Sequence, residues 1–361
     1  LSSASFASSS SSSFDLADLG WDDAWTATLA TGHQLFGPAD VGRVARVDLG
    51  ACSVLGAGGA GRALVPRGIG VAVGDWVLVR EGVVAGTLPR RTAIVRRAAG
   101  GDAKAQTLAA NIDTVLVLVA ADGRVTPRSI ERYVTLVWES GATPVVVLTK
   151  ADLVSADELD DATGRLEQAC VGVALHVISA AAGTGLEELT PYFGPGRTVA
   201  LLGSSGAGKS TLANHLAGTA LATGAVRDTD HRGRHTTTHR ELVALPGGGV
   251  LVDTPGLREV GLWQAEGDGV ARTFPEITAL LGQCRFADCS HRREPGCAVL
   301  AALAEGRITE ERLASWRKLR RELDRLAARD DPALREHLRT EERRVHRQYA
   351  QIRKQWRGRE R

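Results

Sequence analysis

The sequence lacks any uninterrupted run of eighteen or more apolar residues, so no segment of it reads as a transmembrane helix. Methionine is absent altogether, and Leu1 is compatible with a start codon read literally. Residues 1–13 are rich in serine but have neither a basic start nor a long apolar stretch, so a tail is expected there rather than a secretory signal. Cysteine is scarce: five in 361 residues are too few and too unevenly spaced for a disulfide framework. Cys52 and Cys170 stand alone and read as small core residues. The other three crowd into fourteen residues with a histidine, which calls for a separate explanation.

What is present is ordinary for a soluble globular chain, with 43% hydrophobic and 24% charged residues. The formal charge of +2 hides an asymmetry. Residues 301–361 carry 18 Lys and Arg against 11 Asp and Glu, a surplus of +7 that leaves the other 300 residues near −5. A basic tail on a mildly acidic body suggests an anionic partner, nucleic acid first, or a solvated and salt-bridged helix.

Three regions follow the tail, which is expected to be disordered over residues 1–39. Residues 40–100 hold short β-prone runs, Val44-Ala45-Arg46-Val47, Trp76-Val77-Leu78-Val79 and Thr92-Ala93-Ile94-Val95, punctuated by glycine turns. Sixty such residues suit a small barrel of the OB type, and nine arginines from Arg43 to Arg97 outnumber the nearby acids. A basic barrel points to RNA or DNA contact, with a merely structural barrel as the alternative. Over residues 101–272 the pattern changes to continuous apolar runs, Thr114-Val115-Leu116-Val117-Leu118-Val119 first, alternating with helical stretches such as 127–139. That is a doubly wound α/β layout with a parallel sheet, and ligands are expected at the carboxyl ends of its strands. Residues 273–361 hold the cysteine cluster and polar helices. Leu313, Trp316, Leu319, Leu323 and Leu326 mark one apolar helix face, expected to lie on the body.

Gly203-Ser204-Ser205-Gly206-Ala207-Gly208-Lys209-Ser210 fits the P-loop pattern at every position, after an apolar strand and before a helix. Glycines let backbone N–H groups turn around phosphates, and the helix N-terminus adds favourable charge. Lys209 is expected to reach the β- and γ-phosphates and Ser210 to ligate Mg²⁺, and Thr211 is counted with them among the nucleotide-binding residues. Asp253-Thr254-Pro255-Gly256 follows another apolar run. It suits a carboxylate that holds Mg²⁺ through water and a glycine that moves toward the γ-phosphate. Between them, the polar stretch 228–240 reads as a switch, or else as a plain surface loop. Its His235-Thr236-Thr237-Thr238 run offers hydroxyls for Mg²⁺ and a histidine to position water.

Base recognition lies upstream. Thr149-Lys150-Ala151-Asp152 resembles the N-K-x-D guanine motif with Thr in place of Asn. Asp152 would accept from guanine N1–H and the exocyclic amine, which adenine cannot supply. Lys150 would lie along the base plane, and Ser179-Ala180 would supply a backbone contact to guanine O6. Thr149 makes fewer hydrogen bonds than Asn and weakens the match. The order is base, base, phosphate, switch, Asp-Thr-Pro-Gly, whereas ordinary GTPases put the phosphate motif first. The chain therefore reads as a circularly permuted P-loop GTPase. Downstream, Cys284-x4-Cys289-x-His291-x5-Cys297 offers three thiolates and one imidazole, a closed set suited to structural Zn²⁺.

The permuted order, Val73-Gly74-Asp75-Trp76-Val77, Gly233-Arg234-His235-Thr236-Thr237-Thr238 and the Cys-Cys-His-Cys spacing together resemble the ribosome-small-subunit-dependent GTPase A (RsgA) family. The resemblance covers about residues 40–320. It implies an N-terminal OB-fold domain, a permuted GTPase domain and a C-terminal zinc-binding helical module. It also implies hydrolysis of GTP to GDP and phosphate, stimulated by the small ribosomal subunit, in late maturation of the bacterial 30S particle. Contact with 16S rRNA, a monomer, a cytoplasmic location and no membrane contact go with it. By position, the resemblance assigns phosphate and Mg²⁺ to Lys209 and Ser210, γ-phosphate closure and Mg²⁺ to Thr237, and help to the attacking water to His235. Leu257 is apolar where Ras-like enzymes carry a water-orienting Gln, so slow unaided turnover is expected. The competing expectation is an RNA-binding protein that uses guanine nucleotide as a ligand switch with negligible hydrolysis.

Overall fold

The computed structural model describes residues 13–97, 105–123, 126–221, 241–253 and 268–330. The chain divides into two compact units, residues 1–261 and 262–361. No helix among the described residues is long and apolar enough to cross a membrane.

The first element lies in the segment expected to be a tail. Helix α1 spans Asp23–Phe36, started by Asp22, whose carboxylate accepts from Trp25 N at 2.9 Å, and ended by Gly37 at φ 76°. Both signals are in the sequence, but the serine-rich start obscures them. What orders this segment is tertiary: Trp21 and Trp25 stack on each other, and both meet the buried Trp76 ring.

A closed barrel follows, built from β1 (Asp40–Asp48), β2 (Ala51–Gly56), β3 (Gly59–Leu64), β4 (Trp76–Arg80) and β5 (Val83–Thr87). Its order is β1-β2-β3-β5-β4, with β3 and β5 parallel and β4 closing on β1. Val44, Cys52, Val54, Ala63, Val77, Val79 and Val84 fill it, small and branched side chains that fit a narrow interior. The strand expected at residues 92–95 is not part of the barrel. β6 (Ala93–Arg97) pairs with β7 (Ala105–Ala110) as a separate two-stranded ribbon, because closure of β4 on β1 leaves the barrel no free edge.

A six-stranded sheet of order β10-β9-β8-β11-β13-β12 comes next. Its members are β8 (Thr114–Ala120), β9 (Thr143–Thr149), β10 (Ala174–Val177), β11 (Thr198–Gly203), β12 (Glu241–Ala244) and β13 (Val250–Asp253). All pairs are parallel except β12–β13. β8, β9 and β11 are buried along nearly their whole length, which is why they read as unbroken apolar runs. Helices α2 (Pro127–Glu139), α3 (Ala156–Ala169) and α4 (Lys209–Leu221) alternate with them. α2 starts with proline in its first turn and buries Ile130, Val134 and Val137; α3 starts with a Ser155–Glu158 capping box. β9 and then β10 lie outward of β8 on one side, and β13 and then the antiparallel β12 lie outward of β11 on the other. The switch point of the sheet therefore lies between β8 and β11, where ligands are expected.

Residues 15–22 join barrel and sheet within the first unit. The guanidinium of Arg43, on β1, donates to Leu19 O, and Gly249 N, in the β12–β13 turn, donates to Asp18 O at 3.1 Å. Arg91 forms a two-pronged pair with Asp22, both contacts at 2.6 Å.

The described residues of the second unit include four helices, α5 (Gly269–Thr273), α6 (Pro275–Thr278), α7 (Ala298–Ala304) and α8 (Glu310–Asp330), with turns and bends from 279 to 297. Leu313, Trp316, Leu319 and Leu323 of α8 are buried, and α8 contacts α5 of the same unit. Arg312, also buried, ties these helices together through Glu276 Oε1 at 2.7 Å and Thr273 O at 2.6 Å.

Candidate functional site

The P-loop pattern lies at the switch point. Gly203 ends β11 at φ 154°, and a Cβ there would stand 2.4 Å from Leu118 O, so only glycine lets the loop sit against β8. Gly206 and Gly208 also have positive φ, at 79° and 83°. Ser204, Ser205 and Gly206 are exposed, Ala207 is buried, and Ser210 and Thr211 are exposed in the first turn of α4. Lys209 folds back over the loop, with Nζ donating to Gly203 O at 2.7 Å and Ser204 O at 2.6 Å. The cation thus stands inside the curve of the loop, beside the N-terminus of α4. A phosphate entering there meets a positive end from both.

The base motif stands at the end of β9, two strands from β11. Thr149 is buried, and its hydroxyl donates to Ala207 O at 3.0 Å and Val119 O at 3.2 Å. Lys150 adopts the left-handed conformation at φ 61° and extends its ammonium to Asp122, 2.8 Å from Oδ2. That reversal brings Asp152 out exposed, where one carboxylate oxygen accepts from the Ser179 hydroxyl. Ser179 is fixed in turn: its N–H donates to Thr184 O at 3.0 Å, and its hydroxyl accepts from Ala182 N at 3.0 Å. Ala180 follows it, half-buried against the sheet core.

The structure thus brings Thr149, Lys150, Asp152, Ser179 and the loop from Gly203 to Ser210 to one end of the sheet. Asp253 closes β13, its main chain opposite Glu241 of β12. His235, Thr237 and Gly256 lie outside the described residues. Sequence reasoning missed Asp122, the partner of Lys150. Its position just past the end of β8, at the carboxyl edge of a parallel strand, was the available signal.

In the second unit, Cys284, Cys289, His291 and Cys297 converge, with their ligand atoms within 4.8 Å of one another. Cys284 Sγ and Cys297 Sγ are 3.9 Å apart, and each is 3.5 Å from His291 Nδ1. A tetrahedron with Zn–S of about 2.3 Å and Zn–N of about 2.05 Å has edges of about 3.8 Å between sulfurs and about 3.6 Å between sulfur and nitrogen. The four donors match zinc in chemistry, and the three edges among Cys284, Cys297 and His291 match it in size. His291 reaches it from a left-handed turn at φ 55° and lies edge-on to Trp316, ring centroids 5.8 Å apart. Glu294 knits the loop by accepting from Ser290 N at 3.0 Å, Arg292 N at 2.8 Å and Arg293 N at 3.0 Å. The Ser290 hydroxyl and these N–H groups hold its carboxyl far below the usual carboxylate range.

Comparison with known proteins agrees with this arrangement. Residues 87–263 match the family described as RsgA GTPase. The small ribosomal subunit biogenesis GTPase RsgA of Streptomyces avermitilis is 48% identical over 348 residues, covering 91% of this chain and 91% of that protein. Its namesake in Opitutus terrae is 45% identical over 344 residues, covering 88% of this chain and 92% of that protein. Among solved structures, YjeQ from Thermotoga maritima superposes with a TM-score of 0.60 at 26% identity, covering 79% of this chain and 99% of that one. YloQ, a circularly permuted GTPase, shares the fold with a TM-score of 0.58 at 22% identity, covering 82% of this chain and 98% of that one. The match over 91% of both chains at nearly half identity, together with a P-loop reached after its base motif, establishes that the chain belongs to the RsgA GTPase family.

Proposed function

We propose that this protein hydrolyses GTP as an assembly factor of the small ribosomal subunit, and that the subunit stimulates the hydrolysis. The observation that carries the reading is the 48% identity over 91% of the chain to a protein named for small ribosomal subunit biogenesis. The layout of the first unit supports it, because base motif and P-loop stand at one end of one sheet.

In this reading Asp152 accepts from guanine N1–H and the 2-amine while Ser179 holds its other side. Lys150 lies along the base, positioned by Asp122, and Ala180 supplies the contact to O6. The main chain from Gly203 to Thr211 cradles the phosphates, with Lys209 at the β- and γ-positions. Ser210 and Thr237 hold Mg²⁺, with Asp253 acting through water. His235 orients the attacking water, and Gly256 follows the γ-phosphate. Leu257 contributes no polar group to that water, so the subunit supplies what unaided turnover lacks. Cys284, Cys289, His291 and Cys297 hold one Zn²⁺, which fixes the fold of the C-terminal module and leaves no position open for chemistry. The barrel contacts 16S rRNA through its exposed arginines, Arg62, Arg67 and Arg80, whereas Arg43 is buried and spent on backbone carbonyls. A monomer in the cytoplasm completes the reading.

The test is phosphate release from GTP by the purified protein, with and without purified small subunits, and with ATP as control. Stimulation confined to GTP is the expected result. GTP binding without stimulated turnover would favour a nucleotide-switched RNA-binding protein. Turnover indifferent to subunits would remove the ribosomal assignment.

A further inference from the structure

We propose that Arg317 is a positioning residue of the zinc site: its charge balances three thiolates on one Zn²⁺, and its hydrogen bond holds His291 in place. The inference rests on the zinc reading above and deepens it. Nothing in the cysteine spacing points to Arg317, which lies on α8, 26 positions beyond His291. A coordinating thiol is deprotonated, so Cys284, Cys289 and Cys297 bring three negative charges to the metal, and His291 brings none. The loaded centre therefore keeps one net negative charge. Such a charge is costly unless donors or cations stand around it.

Main-chain N–H groups of Ala298 and Val299 serve Cys284, and that of His291 serves Cys289. These are dipoles, and they leave the net charge where it is. Arg317 brings a full charge. Its Nη2 donates to His291 O, and its guanidinium lies within the field of the Cys297 sulfur. Its Nε is buried without an acceptor, a cost that proteins rarely keep without a use. Among the described residues Arg317 forms no ion pair with a carboxylate. Glu294 also attracts it, but that carboxylate is committed to the N–H groups of Ser290, Arg292 and Arg293. A negatively charged metal centre supplies the counter-charge that the protein does not. The residue before Arg317 on the helix, Trp316, stands edge-on to the His291 ring. Consecutive residues of α8 thus hold this histidine by its ring and by its carbonyl. His291 needs the hold, because it reaches the site from a left-handed turn at φ 55°.

Arg317→Met keeps an apolar stem and deletes both the charge and the donors. Its zinc affinity, measured by competition with a chromogenic chelator, should fall about 10–100-fold with unchanged stoichiometry. Arg317→Lys, which keeps the charge, should recover most of the loss. Lys318→Met removes an exposed charge at the next position and should bind zinc like wild type. Cobalt in place of zinc separates charge from bracing. Thiolates that lose a neighbouring cation give up electrons more easily, so the thiolate-to-cobalt charge-transfer band should move to lower energy in Arg317→Met and stay in place in Arg317→Lys.

If Arg317→Met does not fold, Arg317→Gln, which keeps a donor without the charge, makes the same comparison. Zinc affinity of the neutral variant within about twofold of wild type would overturn the proposal. A weakened affinity beside an unmoved cobalt band would reduce Arg317 to a brace and overturn the charge balance. An equal loss in Lys318→Met would trace the effect to overall charge and overturn it as well. A wild-type protein without bound zinc would instead sink the zinc reading itself, and the inference with it.

Discussion

Asp75 of the barrel is fully buried, and its two oxygens accept from Arg90 Nε and Nη2 at 2.7 Å each and from Ala72 N at 2.7 Å. Arg90 also donates to Gly70 O at 3.2 Å and to Thr107 of β7 at 2.9 Å, so one guanidinium joins the barrel to the β6–β7 ribbon. Arg90→Ala removes this and leaves a buried carboxylate with one N–H donor. Breaking a buried pair from one side costs about 3–5 kcal/mol. The Arg90 side chain is 29% exposed, and water entering behind the truncated residue recovers part of that. The expected loss is therefore about 3 kcal/mol. For a unit of this size it corresponds to a fall of about 6–12 °C in melting temperature.

Thermal and denaturant unfolding followed by tryptophan fluorescence would measure the loss. Arg90→Lys restores the charge without the two-pronged fork and should recover only part of it. Asp75→Asn combined with Arg90→Ala should be less destabilised than Arg90→Ala alone, because the stranded charge is gone. Basal GTP hydrolysis should stay at the wild-type level in folded Arg90→Ala. An Arg90→Ala protein within about 0.5 kcal/mol of wild type would refute the reasoning. A double variant no better than the single one would show that the buried charge is not what costs.

Replacing the base-facing carboxylate in Asp152→Asn should transfer preference from GDP to XDP, since an amide N–H matches the xanthine 2-carbonyl; competition binding would show unchanged preference if the assignment is wrong. Cys289→Ser should lose bound zinc by elemental analysis and unfold the C-terminal unit, while Cys52→Ser retains the metal; stoichiometric zinc in Cys289→Ser would count against the site. Arg91 holds the Asp22 carboxyl down at about 2, chiefly by its hydrogen bonds. A depressed folded-state value means the contribution is complete above the unfolded value of about 3.9 and disappears as pH falls toward 2. Arg91→Gln should raise the Asp22 midpoint, read from its carboxyl ¹³C shift, toward about 4; no movement would mean the pair does not form.

Several features were legible in the sequence because they are set by neighbours along the chain. Unbroken apolar runs announced strands buried on both faces, and β8, β9 and β11 are such strands. The P-loop pattern between a strand and a helix has that same local context in the fold, β11 before it and α4 after it. The fourteen-residue cluster announced a convergence of donor groups, and its three thiols and imidazole do come together within 4.8 Å of one another, compatible with zinc.

Other features depended on which distant segments meet. Pattern alone assigned residues 92–95 to the barrel, but closure of β4 on β1 excluded them, and their partner is β7. Residues 1–39 read as tail, yet Trp76, Arg43 and Arg91 hold Trp21, Leu19 and Asp22 in place. Thr149 and Ala207 are 58 positions apart, Lys150 and Asp122 are 28, and Arg90 and Asp75 are 15. Period and composition carry local preference, which is why the buried strands of the sheet, the P-loop context and the donor groups could be read along the chain while α1 could not. Hydrogen bonds and ion pairs need particular atoms within about 3 Å of each other, and only the closed barrel and the strand order of the sheet decided which atoms those are.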